Sequence, residues 1–163
     1  MITRYSIELP VGEFIVLGRD DVSIAAGFGE RNAIGHLELD EPIVAGSRSD
    51  AIARALRAWR DGDVRALDAL WVEQEGPAFR QKVWEAMRAI PAGSTASYGE
   101  LAANAGNARA VRAAGSACAR NSIPLIVPCH RVVRSDGSLG NYYYGADVKR
   151  WLLEHEARAV AAA

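Results

Sequence analysis

The chain has 163 residues, of which 50% are hydrophobic and 24% charged, a composition typical of one medium globular domain or of two small ones. No apolar run approaches the ~20 residues that span a bilayer, and the segment from Met1 to Glu8 has no apolar signal core. We therefore expect a soluble, cytoplasmic protein with no membrane partner. Two cysteines, Cys118 and Cys129, are too few for a disulfide framework or a Cys-rich zinc site, so the sequence predicts no metal and no cofactor.

The charge is divided unevenly along the chain. Residues 1–75 hold 8 Arg and 14 acidic residues, a balance of −6, whereas residues 76–163 hold 11 Lys and Arg and 6 acidic residues, a balance of +5. The basic half is where an anionic partner such as nucleic acid would bind, although chance clustering on solvated faces explains the charge equally well. We predict two domains, 1–75 and 76–163.

The first half predicts a small sheet followed by a helix. The segment from Ile2 to Leu9 alternates in polarity, and turns at residues 10–12 and 18–21 separate it from two more apolar runs, Phe14 to Leu17 and Val22 to Phe28. This pattern is typical of a three-stranded meander.

From Ser49 the apolar residues recur at spacings of 3, 4 and 7, which predicts a helix that Ser49 caps and Gly62 ends. Nothing in residues 1–75 carries chemistry. His36 and Trp59 are interpreted as structural.

The second half predicts short helices over residues 77–90, 98–105 and 108–120. Ser97 and Glu100 have the spacing of a capping box, and Gly106-Asn107 breaks the chain between the second and third helices. Two short helices joined in this way indicate a helix-turn-helix, although many helical hairpins share the pattern.

The segment from Ile123 to Val133 carries the chemistry. An apolar run closes at Pro128 and is followed directly by Cys129, His130 and Arg131. A thiol in basic surroundings favours the thiolate, which is the nucleophilic form. Taken alone, a buried inert cysteine beside a structural histidine explains the same residues.

The string from Pro128 to Val132 resembles the signature of the O6-alkylguanine-DNA alkyltransferases. Further matches follow the family's order and spacing over about residues 77–158: Phe79, Gln81, Val83, Trp84, Ile90-Pro91, Gly93, Thr95, Ser97-Tyr98, Ala110 to Ala113, Asn121, Gly140 to Tyr142 and Lys149 to Glu156. Several motifs in register make the resemblance specific.

The resemblance implies five catalytic roles. Cys129 is the acceptor thiol, His130 the general base that reaches it through a water, and Glu156 the carboxylate that holds the imidazole. Asn121 braces the active-site turn. Tyr98 protonates the departing guanine.

The resemblance also implies binding of duplex DNA with the damaged nucleotide rotated out of the stack. Arg112 fills the gap, and the small residues after it press close to the minor groove and read little sequence. The implied DNA-binding residues are Tyr98, Arg112, Ala113, Gly115, Ser116, Arg120 and Arg131, the two last serving phosphates or structure.

Five residues are predicted to line the alkyl pocket: Val132, Gly140, Tyr142, Tyr143 and Tyr144. Tyr143 and Tyr144 stand where the family usually has small residues, so they narrow the pocket or turn outward to DNA.

Together these features predict an α/β chain. An N-terminal domain of a small sheet and a helix precedes a mainly helical C-terminal domain with a winged-helix-like helix-turn-helix and an active-site cysteine loop. The predicted function is stoichiometric removal of alkyl groups from O6-alkylguanine, and from O4-alkylthymine, by a monomer. The alternatives are a non-catalytic alkyltransferase-like binding protein, which Cys129 argues against, a cysteine hydrolase without an evident oxyanion hole, and a plain helix-turn-helix regulator.

Overall fold

A computed structural model describes residues 1–35, 37–38 and 40–163, so His36 lies outside the described residues. The chain forms two compact units, the first made of Met1–Gln74 and Ser122–Ile126, the second of Glu75–Asn121 and Val127–Ala163. The first unit therefore includes a short segment from within residues 76–163, just before the cysteine motif.

The first unit is built on a five-stranded sheet. Its strands are β1 (Ile2–Leu9), β2 (Gly12–Arg19), β3 (Val22–Phe28), β4 (Ile43–Ala45) and β5 (Trp71–Val72), in the order β4-β1-β2-β3-β5. The predicted meander is confirmed, since β1, β2 and β3 pair antiparallel in sequence order. The two edge strands pair in parallel and were not predicted, because two or three residues are too few to show a period.

Helices α1 (Glu30–Ile34) and α2 (Ala51–Arg60) and a 3-10 turn at Ala66–Ala69 complete the first unit. Three apolar side chains of α2 are fully buried, those of Ile52, Leu56 and Trp59. The prediction that Ser49 caps α2 is wrong, because the N-cap is Asp50. The Asp50 side chain leaves the helix end uncapped and instead accepts hydrogen bonds from the Tyr5 hydroxyl and the Ser47 amide.

The second unit is mainly helical. Its elements are α3 (Ala78–Arg88), β6 (Ala96–Ser97), α4 (Tyr98–Asn104), α5 (Val111–Ala119), β7 (Val132–Val133) and α6 (Ala146–Ala162). The short strands β6 and β7 pair in parallel. Trp84 on α3 donates from its indole to the Ala117 carbonyl on α5 at 2.9 Å, which joins two helices of the unit.

The helix-turn-helix departs from its prediction at one end. The capping box at α4 is confirmed, with Ser97 and Glu100 each bonded to the other's backbone. Helix α5 begins three residues later than predicted, at Val111, because the Asn107 side chain accepts from the Arg109 amide and holds residues 107–110 in a turn. In the part of the chain that the structure describes, no helix is long and apolar enough to cross a membrane.

Candidate functional site

Backbone geometry at Pro128 presents the cysteine. Pro128 has φ −84° and ψ 69°, and the Cys129 amide donates across it to the Val127 carbonyl at 2.9 Å, closing a three-residue turn. A single 3-10 turn, Cys129–Arg131, follows at once, and the Val132 amide donates back to the Cys129 carbonyl. Cys129 is partly exposed at the start of this turn.

Asn121 lies against the turn that presents Cys129, residues 127–131, which is called the cysteine turn below. Its side-chain amide donates to the Val127 carbonyl at 2.7 Å and is largely buried. The same side chain forms a hydrogen bond with the Cys129 thiol. One residue therefore contacts both the backbone that leads into the turn and the thiol itself.

His130, Arg131 and Glu156 form a buried ionic cluster behind the cysteine. His130 Nε2 lies 2.7 Å from Glu156 Oε1. Arg131 donates from Nε to the same oxygen at 3.0 Å and from Nη2 to Oε2 at 2.6 Å. The third Arg131 nitrogen, Nη1, donates to the Ile90 carbonyl at 2.7 Å, so each nitrogen of the guanidinium donates a hydrogen bond.

The cluster determines which nitrogen of the imidazole donates to Glu156. Burial acts to raise the pKa of Glu156, but the charge and hydrogen bond of His130, and then those of Arg131, outweigh burial and bring that pKa well below its usual range. An ionised Glu156 can only accept, so Nε2 of His130 is the donor in this pair. Nδ1 is buried and has no hydrogen-bond partner among the described residues.

The pKa of each thiol is raised above that of a free cysteine. Burial raises the pKa of Cys129, while the Asn121 side chain, the Lys149 ammonium and the amides of Cys129 and His130 act in the opposite direction. Burial and the neighbouring Cys129 raise the pKa of Cys118, which is therefore a protonated thiol near pH 7.

Tyr98, the first residue of α4, lies beside Gly140. Gly140 has a left-handed φ of 74°, and a Cβ built there would stand 3.4 Å from the Tyr98 hydroxyl oxygen. Burial, followed by the charges of Cys118 and Cys129, raises the pKa of Tyr98, so its phenol keeps its proton near neutral pH. The structure thus brings Tyr98 and the loop before Tyr142 together.

The three consecutive tyrosines take different environments. Tyr143 is 80% exposed, whereas Tyr142 and Tyr144 are partly buried. The Tyr144 ring meets both neighbours edge to face, at centroid distances of 5.7 Å to Tyr142 and 4.9 Å to Tyr143. The Tyr142 hydroxyl is buried without a partner among the described residues.

Helix α5 turns a small-residue surface to solvent. Four of the predicted DNA-binding residues are exposed there or just beyond its end, namely Arg112, Ala113, Ser116 and Arg120. A Cβ on Gly115 would meet no atom within 4 Å, so packing within the protein does not require a glycine at this position.

Two assignments from the sequence change. Arg131 does not lie on a DNA-accessible surface, because its side chain is buried and committed to Glu156 and Ile90, and of its two proposed roles the structural one applies. The other change is Lys149, which received no role from the sequence. It is fully buried and donates to the Val132 carbonyl at 2.6 Å.

A signal for Lys149 was present in the sequence. Lys149, Leu152 and Glu156 recur at spacings of 3 and 4 on the buried face of α6, so two charged residues occupy positions that the period assigns to the core. Within the described ranges no group of three or more His, Cys, Asp or Glu side chains is arranged to hold a metal ion.

Comparison with known proteins agrees with this geometry. Residues 78–158 match the family model described as 6-O-methylguanine DNA methyltransferase, DNA binding domain. The Methanosarcina acetivorans methylated-DNA–protein-cysteine methyltransferase is 44% identical over 104 residues, 64% of this chain and 66% of that protein. The bifunctional transcriptional activator/DNA repair enzyme Ada of Escherichia coli is 54% identical over 82 residues, which are 50% of this chain and 23% of Ada.

The likeness extends to whole solved structures. The crystal structure of the R37L variant of Mycobacterium tuberculosis O6-methylguanine methyltransferase superposes with a TM-score of 0.78 at 34% identity, over 96% of this chain and 93% of that one. The chain belongs to the O6-alkylguanine-DNA alkyltransferase family. Its matched segment is nevertheless only about a quarter of Ada and two thirds of the archaeal enzyme.

Proposed function

We propose that this protein repairs alkylated DNA by moving the alkyl group of O6-alkylguanine, or of O4-alkylthymine, irreversibly to Cys129. The observation that carries the proposal is the buried His130–Glu156 pair directly behind a partly exposed thiol. Similar proteins named as methylated-DNA–protein-cysteine methyltransferases support the same chemistry.

The transfer is a direct displacement. Nδ1 of His130 takes the thiol proton through a bridging water, and the ionised Glu156 stabilises the resulting imidazolium. The Cys129 sulfur then forms a bond to the alkyl carbon while the bond between that carbon and O6 breaks. The electron pair of the broken bond stays with the guanine.

Tyr98 supplies the proton that the departing guanine needs. Its raised pKa keeps the phenol protonated until negative charge develops on the base. Its neighbour Gly140 is free of side-chain bulk, which leaves room for the base beside the hydroxyl. Asn121 holds the thiol in line through its contacts with Val127 and Cys129.

Each molecule acts once. A thioether is a poor leaving group, and the protonated Cys118 thiol is a poor nucleophile for removing the alkyl group. The protein therefore needs no cofactor and is consumed in proportion to the lesions it repairs.

Duplex DNA binds at the exposed surface of α5, which brings the damaged nucleotide to Cys129. The exposed Arg112 occupies the space that the rotated nucleotide leaves in the stack, and the small surface around Gly115 approaches the minor groove. A Mycobacterium tuberculosis relative at 31% identity has been crystallised in complex with DNA, which supports a DNA partner here. We propose that the protein acts as a monomer inside the cell.

Intact-protein mass measurement tests the proposal. After incubation with excess duplex DNA containing O6-methylguanine, the mass should rise by about 14 Da, one CH₂, and then stop rising, because the single acceptor is consumed. Peptide mapping should place the methyl on Cys129, Cys129→Ser should gain nothing, and Cys118→Ser should gain the methyl normally. Tight binding of the lesion with no mass gain would instead indicate a non-catalytic lesion-binding protein.

A further inference from the structure

Lys149 is a buried ammonium with no carboxylate partner among the described residues. Its side chain is fully buried, and Nζ donates to three backbone carbonyls, those of Val132, Leu139 and Asn141. No carboxylate of the described residues lies within ion-pairing distance, 4.0 Å, of Nζ, in contrast to the other buried cation, Arg131. A buried charge that lacks a counterion is costly, so the fold tolerates it only where it does something that a neutral side chain does not.

Through these three carbonyls Lys149 connects the cysteine turn to the loop that contains Leu139 and Asn141. Val132 donates through its amide to the Cys129 carbonyl and accepts through its own carbonyl from Lys149, so two hydrogen bonds separate the ammonium from the backbone of the nucleophile. Leu139 and Asn141 belong to the loop that leads to Tyr142, whose ring centroid lies 6.0 Å from Nζ. Lys149 thus ties two segments of the site together from α6.

The charges around the thiol leave Lys149 in a distinctive position. The titratable groups coupled to Cys129 are Tyr98 on α4, Cys118 on α5, Tyr142 in the loop and Lys149 on α6. The first three are acids, and a thiolate at Cys129 opposes their ionisation. Lys149 is the cation in this set of four. Burial lowers the pKa of Lys149, and the Cys129 charge acts to raise it, so cation and thiolate stabilise each other.

We propose that Lys149 is a positioning residue of the transfer reaction: its ammonium locks the cysteine turn to the Leu139–Asn141 loop and supplies the positive charge that offsets the Cys129 thiolate. The inference rests on the proposed function, because it assigns Lys149 a part in preparing the acceptor thiol. It extends that function by identifying where the negative charge finds its counterion.

Thiol reactivity without DNA tests the inference. In a Cys118→Ser background, the rate of Cys129 carbamidomethylation by iodoacetamide is followed by intact mass from pH 6 to pH 10. Lys149→Met removes the charge and the hydrogen bonds, whereas Lys149→Gln keeps an amide donor without charge. Lys82→Met is the matched control, because Lys82 is the chain's other lysine and is exposed on α3.

Both neutral variants should move the midpoint of the pH–rate profile upward by about one unit, a tenfold loss of thiolate at a fixed pH below the midpoint. Lys82→Met should keep the parent midpoint. A merely structural lysine would lower the melting temperature and leave the midpoint in place, and an unchanged midpoint in folded Lys149→Gln overturns the inference. Should Lys149→Met fail to fold, the Gln variant alone decides the matter.

Methyl transfer from O6-methylguanine duplex to the parent protein is measured in parallel. No transfer together with a shifted midpoint would reject the proposed function and retain Lys149 as the counterion of a reactive thiol. Transfer together with an unchanged midpoint would retain the function and reject the role of Lys149.

Discussion

The two units bury different kinds of side chain. In the part of the chain that the structure describes, the core of the first unit is apolar and the one buried polar side chain is Ser23. Ion pairs of the first unit, such as that between Arg60 and Asp61, lie at the surface. The second unit buries Asn121, His130, Arg131, Lys149 and Glu156, all of them around the cysteine turn.

The contrast shows where stability and chemistry separate. Apolar burial stabilises a fold without any exacting partner geometry, whereas each buried charge requires its partners at hydrogen-bond distance. The first unit is therefore expected to tolerate loss of its ion pairs, and the second unit to be sensitive to loss of one.

Glu156→Ala should have the largest effect on stability among the tests of this contrast. It strands the buried Arg131 guanidinium and removes the acceptor of His130 Nε2, and removal of one partner of a buried pair lowers the free energy of unfolding by about 3–5 kcal/mol. Glu154→Ala is the matched control, because Glu154 lies exposed on the same helix, and Arg60→Ala tests a surface pair of the first unit. Urea denaturation should find both controls at wild-type stability. A Glu156→Ala protein as stable as its controls would refute the contrast.

Acid titration should show the same difference. Because the pKa of Glu156 is lower in the folded protein than its usual value of 4.5, its contribution to stability is complete above that value and is lost as the pH falls below it. Wild type should therefore lose stability between about pH 5 and pH 2 more steeply than Glu156→Gln. Glu41→Gln in the first unit should follow the wild-type curve, because the N-terminus and Arg19 also lower the pKa of Glu41 but solvent screens that carboxylate. Parallel curves for wild type and Glu156→Gln would count against a stabilising Glu156.

Arg112→Ala should leave the folded second unit intact and weaken its action on duplex DNA. Nucleotide rotation costs a few kcal/mol, so loss of the side chain that we propose fills the gap in the stack should slow repair of O6-methylguanine in duplex about 100-fold. Transfer from the free base should change little. Arg158→Ala, an exposed arginine on α6, serves as control. Equal losses on duplex and free base would assign Arg112 a structural role.

Tyr144→Gly should have the smallest effect on methyl transfer and a selective effect on larger groups. The Tyr144 ring is packed between its two neighbours, and we predict that it narrows the alkyl pocket, so the wild-type protein should resist inactivation by O6-benzylguanine. The glycine variant should become sensitive, whereas Tyr143→Gly should not, because Tyr143 points to solvent. Rapid inactivation of the wild-type protein would place the Tyr144 ring outside the pocket.

Period and turn chemistry predicted the long elements. The strands of the meander and the capped helix α4 follow from local pattern, since alternation and the Ser97–Glu100 pair act within a few residues. The start of α5 did not follow, because a side-chain bond from Asn107 competes with the helix, and the edge strands β4 and β5 depend on partners far along the chain.

Motif resemblance named the residues of the site and the pairing of His130 with Glu156, 26 positions apart. It did not indicate that Arg131 contacts both oxygens of the same carboxylate, because that contact shows only in three dimensions. Arg131 was predicted to serve phosphates or structure, and the sequence did not decide between them because charge alone does not say which side of a turn faces solvent. Lys149 was overlooked because a lysine on an amphipathic helix is usually exposed.

The segment Ser122–Ile126 has a consequence for how this protein can be divided. Its apolar residues are buried in the first unit, and Ser122 bonds there to Ala26 and Gln74. Leu125 also holds a left-handed φ of 70°, a conformation that costs a bulky residue about 1–3 kcal/mol and persists only in packed surroundings. A gene fragment encoding residues 76–163 alone would include a segment that packs in the core of the first unit, and this segment lies just before Cys129 in the chain. We therefore expect such a fragment to expose these apolar residues to solvent and to be less stable than the whole chain.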